Sequence, residues 1–172
     1  MKLLLNAVVY QSIWFIAILG GSRYLWCGLV LLGLHFIISS KRKADALLLF
    51  CLLIMGLVID GLLKYSGFFS FNNDQFPLPL WLLLIWMAFA ILPHHSLYWL
   101  KGRPLLSALL GAVGGPLAYW AGVRLGAASF GFSLTFSLTL LAVVWALVLP
   151  VSMRLAQLTD FSSGPIASPE TD

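Results

Sequence analysis

Charge is what this sequence has least of. Only 9% of its 172 residues are Asp, Glu, Lys or Arg, against about 25% in an ordinary soluble domain. No acidic residue stands between Asp74 and Asp160. The ten basic and six acidic residues leave a net charge of +4. They are too few and too scattered to make a nucleic-acid surface. Cysteine is also scarce: Cys27 and Cys51 each lie inside an apolar run, which excludes a disulfide framework and a paired-cysteine metal motif. The chain lacks H-E-x-x-H, G-x-S-x-G, a P-loop and a dinucleotide fingerprint, so no familiar catalytic motif points to a reaction.

What is abundant is apolar side chain. Hydrophobic residues make up 61% of the sequence, and the mean hydropathy is +0.99. A soluble fold of this length has no interior large enough to hide that surface, so the chain must use lipid as its solvent. A spanning helix needs about 20 mostly apolar residues. Breaks at charges and at Gly, Pro and Asn clusters give six such stretches, at about 3–20, 24–38, 44–65, 77–99, 104–124 and 132–153. Asn6 and Gln11 interrupt the first stretch and no A-x-A site follows it, so it reads as an uncleaved helix rather than a signal peptide.

The basic residues set a direction. With six spans, one side holds Lys2, Lys41, Arg42, Lys43, Lys101, Arg103 and Arg154, and the other only Arg23, Lys64 and Arg124. The positive-inside rule then puts both termini in the cytoplasm. The expected fold is all-α: a polytopic bundle of six transmembrane helices, with residues 1–154 as one membrane domain. Residues 155–172 read as a disordered polar tail. Loops this short leave no room for a soluble catalytic domain, so any chemistry lies within the bundle or at its faces.

Ionisable groups inside the membrane cost roughly 2.5–3.5 kcal/mol each on insertion scales and so require a reason. Asp60 lies in the outer half of the third span with Lys64 one turn on. That order favours a helical ion pair, which would leave Asp60 a structural role. The alternative is a carboxylate facing a water-filled cavity. Arg23 and Arg124 end the first and fifth spans, either as anchors to lipid phosphate or turned inward toward Asp60. Arg23, Asp60, Lys64, Tyr119 and Arg124 thus form a candidate outer mouth for a lipidic or small anionic ligand.

The histidines mark the other end. His35, His94 and His95 fall in one inner slab with Asn6, well over a helical turn below Asp60. Adjacent helical residues point about 100° apart, so His94 and His95 should not face one point. Asp45 at the slab's edge offers the only carboxylate help, and no metal or cofactor is expected. His95 is either held by Asn6, Ser96 or a carbonyl freed by Pro93, or serves as acid or base toward a lipid. In the fifth span Ser107, Gly111 and Gly115, then Ala118, Gly122 and Gly126, repeat every four residues, a pattern for close helix packing. Gly114-Gly115-Pro116 also suggests a mid-membrane break, as in helices that line transporter sites.

Several of these residues carry a resemblance. Asn6, Leu57-Val58-Ile59-Asp60, Pro77-Leu78-Pro79-Leu80-Trp81, His95-Ser96-Leu97 and the run Gly114 to Gly126 resemble a family of small bacterial inner-membrane proteins known only as a domain of unknown function. The resemblance extends to about Pro150. It implies a bacterial inner-membrane location, with His95 as the matching histidine and His94 as a departure. Members of that family are often encoded near fatty-acid-modifying enzymes, which implies a lipid connection. Two functions are expected to compete: binding or moving a small or lipidic ligand, and intramembrane lipid modification with His95 or Asp60 as acid or base.

Overall fold

The computed structural model describes residues 2–71 and 77–160. Among these, six α-helices run in order: α1 (Lys2–Gly20), α2 (Leu25–Ile38), α3 (Arg42–Tyr65), α4 (Leu80–Phe89), α5 (Pro104–Arg124) and α6 (Leu134–Leu158). Four helical runs are long and apolar enough to cross a membrane: 3–38, which joins α1 to α2 through a 3-10 turn, then α3, α5 and α6. Residues 72–76 and those from 161 onward lie outside the described residues.

The expected fourth helix at 77–99 is not continuous. After ten residues α4 stops at Phe89. Pro93 has no amide to return to the helical ladder, and it disfavours helical geometry in the residue before it. From Ala90 the chain runs through turns, with Leu92 N bonded to Phe89 O and both His95 N and Leu97 N bonded to Leu92 O. A short 3-10 helix, Tyr98–Leu100, closes the segment.

The expected break in α5 is absent instead. Pro116 sits buried inside a helix unbroken from Pro104 to Arg124. The reason lies in its packing against α6, the most extensive helix pairing in the fold. A Cβ on Gly111 would land on the carbonyl oxygen of Trp145, and one on Gly115 would land in the Trp145 ring. These glycines let α6 approach backbone to backbone, as small residues do between membrane helices. Ser107 is buried on the same face and donates to Arg103 O at 3.0 Å. Gly126 is not part of that row. Its φ of +82° ends α5, with Gly126 N on Val123 O and Ala127 N on Gly122 O, the paired bonds of a Schellman cap. Gly122 faces Ile18 of α1 rather than α6.

Two short strands were not anticipated. Strand β1 (Phe69–Phe71) pairs antiparallel with β2 (Ala128–Phe130), with Ser70 opposite Ser129. They join the loop after α3 to the loop between α5 and α6. The tail also begins later than expected, because α6 continues to Leu158. Asp160 beyond it accepts from Lys41 Nζ at 2.8 Å and Lys101 Nζ at 2.9 Å.

Along α3 the buried positions are Ala44, Asp45, Leu48, Leu52, Gly56 and Asp60, one helical face at spacings of three and four. At about 1.5 Å per residue, the two carboxylates at its ends stand roughly 22 Å apart. Leu48 and Leu52 between them belong to the main apolar core with Leu82, Phe89 and Met153. The two ends of the bundle therefore carry separate polar centres divided by an apolar layer.

Candidate functional site

At the C-terminal end of α3, the end expected to face outward, Asp60 is fully buried, and each of its oxygens has a donor. Trp86 Nε1 donates to Oδ2 at 2.7 Å and the Tyr119 hydroxyl donates to Oδ1 at 2.7 Å. Trp86 reaches this position because Gly56, one turn before Asp60, leaves room for its indole ring. Asp60 thus ties α3 to α4 and α5. Its partners are these two aromatic donors and not Lys64, whose Nζ donates to Pro77 O at 3.3 Å. Arg23 is exposed with its guanidinium 5.9 Å from the Tyr24 ring, and Arg124 is exposed at the end of α5. Of the five residues expected at an outer mouth, the fold unites Asp60 and Tyr119 and keeps the three cations apart from them.

Beside this pair lies a cavity of about 60 Å³, walled by Trp14, Trp81, Trp86, Ala118, Tyr119 and Trp145. Trp86 stacks on Trp145 with centroids 5.6 Å apart, and Phe69 of β1 stacks on Tyr119 at 5.3 Å. Trp86 and Tyr119 spend their polar atoms on Asp60, so they turn only ring faces and edges to the cavity. Arg23, Lys64 and Arg124 are not among its lining residues. The strands cap it, with Phe71 and Ala128 in its wall.

The second centre, at the end expected to face inward, is built on Asp45, which is fully buried in the first turn of α3. Its Oδ2 lies 2.5 Å from Ser39 Oγ, 3.0 Å from His95 Nε2 and 3.3 Å from His35 Nε2. Its Oδ1 lies 3.0 Å from His94 Nδ1. The expectation that His94 and His95 diverge fails because the segment carrying them is a turn, where the 100° rule does not apply. Asn6 fixes that turn: its Nδ2 donates to Ile91 O at 3.1 Å, and its Oδ1 accepts from Ser96 Oγ at 2.7 Å. Asn6 therefore satisfies backbone that a continuous helix would have paired internally.

His94 imposes a condition on the protons. Its Nε2 faces the carbonyl oxygen of Ala156 at 2.9 Å, and a carbonyl only accepts, so Nε2 carries hydrogen. Its Nδ1 faces the carboxylate. Either His94 is an imidazolium beside an ionised Asp45, or the proton sits on Asp45 and His94 is neutral. In both cases one proton is shared at a buried contact that links α3 to the end of α6. Ser39 also borders an open groove of about 520 Å³ lined by Ser40, Lys41, Lys43 and Asp160. His95 keeps 20% of its side chain exposed.

The sequence offered His95 and Asp45 separately and did not show that they pair. Asp45 stands 50 residues from His95, and only its register with Leu48, Leu52 and Asp60 marks it as inward-facing. His95 is bonded to Asp45, which stands roughly 22 Å from Asp60 along α3, so His95 and Asp60 do not form one acid–base pair. No curated protein and no solved structure matches the chain. Residues 3–151 match the family model described as Protein of unknown function (DUF2878), and the chain belongs to that family.

Proposed function

We propose that this is a multi-pass protein of the bacterial inner membrane, and that it holds the apolar end of a lipidic ligand in its aromatic cavity. The observation that carries the reading is the wall itself. Its tryptophans and two tyrosines, Tyr10 and Tyr119, are rigid and amphipathic, and Trp86 and Tyr119 have their polar atoms already engaged by Asp60. A small anion finds no cation there, whereas a chain terminus finds ring faces. By the measure that one water-sized group needs about 10–15 Å³, the cavity holds about four to six carbon-sized groups. That suits the tip of an acyl or prenyl chain rather than a whole lipid.

Six crossings with both termini cytoplasmic are part of this reading. Support comes from side chains that meet at one end: Asn6 of α1, His35 of α2, Asp45 of α3, and Thr159 after α6, which approaches His94 Nε2 at 3.2 Å. At the opposite end Gly20, Trp81 and Gly126 border one recess. The fourth crossing combines α4, about 15 Å long at ten residues, with the turns that follow. A reporter fused after Asp74 should read extracytoplasmic, and one fused at Gly102 cytoplasmic. A cytoplasmic signal at Asp74 overturns the topology.

The ligand reading is tested with a phospholipid bearing a diazirine at its acyl terminus, irradiated in membranes that contain the protein. Cross-links are expected on α1 near Trp14 and on α5 between Ala118 and Gly122. Ala118→Phe adds six carbons, enough to fill the cavity, and should lower that labelling about tenfold, equivalent to about 1.4 kcal/mol. Labelling that is indifferent to Ala118→Phe contradicts the reading. A second reading, intramembrane lipid modification, is favoured by one observation. The buried Asp45 and its histidines lie beside a groove that carries Lys41 and Lys43.

A further inference from the structure

The inner centre has a geometry that hydrogen bonding alone leaves crowded. In the absence of a cation, Asp45 Oδ2 would take three donors at once, from Ser39, His35 and His95, while Oδ1 takes only His94. The two imidazoles meet edge to face, with centroids 4.9 Å apart, and both aim Nε2 at the same oxygen. His35 Nε2, His95 Nε2 and one Asp45 oxygen lie within 4.8 Å of one another. The separations to Oδ2, 3.3 and 3.0 Å, match the edge of about 3.3 Å expected between donors bonded to one tetrahedral ion at about 2.0–2.1 Å.

We propose that His35 Nε2, His95 Nε2 and Asp45 Oδ2 bind a divalent first-row transition metal ion of the zinc type, with a coordination position open toward the groove at Ser39. Two imidazoles and a carboxylate suit such ions better than magnesium or calcium, which prefer all-oxygen sites. Three protein ligands with one position left is the arrangement of reactive rather than closed structural sites. The ligands come from three segments, the end of α2, the start of α3 and the turn after α4. Ligation requires both histidines in the tautomer with hydrogen on Nδ1.

His94 completes the arrangement from outside as a positioning residue. It holds Asp45 Oδ1 through Nδ1 at 3.0 Å, and its Nε2 is fixed by Ala156 O at 2.9 Å. Partners of this kind set ligand orientation, and their loss costs about 10–100-fold in metal affinity. The way in is short: Ser39 touches both the carboxylate and the groove, and His95 is the one ligand of the three with substantial exposure.

The test uses the full chain in detergent, stripped with a chelator and titrated with Co²⁺. Visible absorption and elemental analysis are read together. The expected result is one Co²⁺ per chain with the strong visible bands of a four- or five-coordinate site, displaced by Zn²⁺. His35→Ala and His95→Ala should each weaken binding more than about 100-fold, and His94→Ala should weaken it by about 10–100-fold with shifted bands. The wild-type titration stands without any variant: absence of stoichiometric binding overturns the proposal. Equal affinity in a His35→Ala/His95→Ala double variant that elutes as folded protein overturns it as well. Neither result bears on the aromatic cavity at the other end.

Discussion

Gly111→Val is expected to abolish the stable fold, whereas Gly114→Ala, three residues further on, leaves it intact or slightly firmer. At Gly111 the added Cβ falls on the backbone oxygen of Trp145, with Leu149 Cβ 3.0 Å away. Neither neighbour is a flexible side-chain end that can swing aside, so α5 and α6 must separate. Over-packing a well-filled core costs about 1–3 kcal/mol, and a backbone obstruction lies at or above the top of that range. Separation brings no hydrophobic return between membrane helices, because lipid tails are as apolar as the lost partner. Gly115→Val should behave like Gly111→Val, since its Cβ enters the Trp145 ring, which is already stacked on Trp86. Gly114 faces open space, and alanine there removes a helix penalty of roughly 0.5–1 kcal/mol. Thermal unfolding in detergent, followed by tryptophan fluorescence, reads the difference. Equal midpoints for Gly111→Val and Gly114→Ala would mean that α5 and α6 do not meet at Trp145.

Asp45→Ala is the second large effect. It removes the acceptor shared by Ser39, His35, His94 and His95, in a position with no exposure. Stranding a buried hydrogen-bonding group without its partner costs about 1–3 kcal/mol, and here several groups lose theirs at once. Here the contact to His94 also holds the turn after α4 against the end of α6, so three elements loosen together. Asp45→Asn keeps one acceptor oxygen but puts an amide donor against another donor, and should fall between wild type and Asp45→Ala. Asp60→Ala strands only Trp86 Nε1 and the Tyr119 hydroxyl, at about 1–3 kcal/mol each. The expected order of stability is wild type, then Asp45→Asn, then Asp45→Ala. An Asp45→Ala midpoint equal to wild type would mean that the carboxylate does not organise that end of the bundle.

The pattern of legibility follows from what each signal measures. Apolar length is local, so α3, α5 and α6 were readable, with Pro104 opening α5. The fourth span was misread because hydropathy counts residues and not hydrogen bonds. It ran through Pro93 where the ladder ends. The same error separated His94 from His95, because the angular rule presumed a helix that the proline removes. Gly126 fitted a period of four that continued past the end of α5, where its backbone conformation rather than its size is what the chain uses. The three-residue strands β1 and β2 are too short for a period-two signal, and their pairing joins positions about 60 residues apart. Asp60 was legible as a carboxylate within a span, but Lys64 was the nearest partner in sequence, while Trp86 and Tyr119 became neighbours only through packing. Asp160 read as part of a polar tail, since nothing local announces Lys41 and Lys101 as its partners.

Native mass spectrometry of the protein released from lipid nanodiscs addresses the aromatic cavity most directly. Wild type should retain one acyl- or prenyl-bearing molecule through mild activation, and Ala118→Phe, whose six added carbons match the room in the cavity, should lose it while keeping its unfolding midpoint. Equal retention by the two proteins, or no retained lipid in either, would contradict a ligand site among Trp14, Trp86, Tyr119 and Trp145.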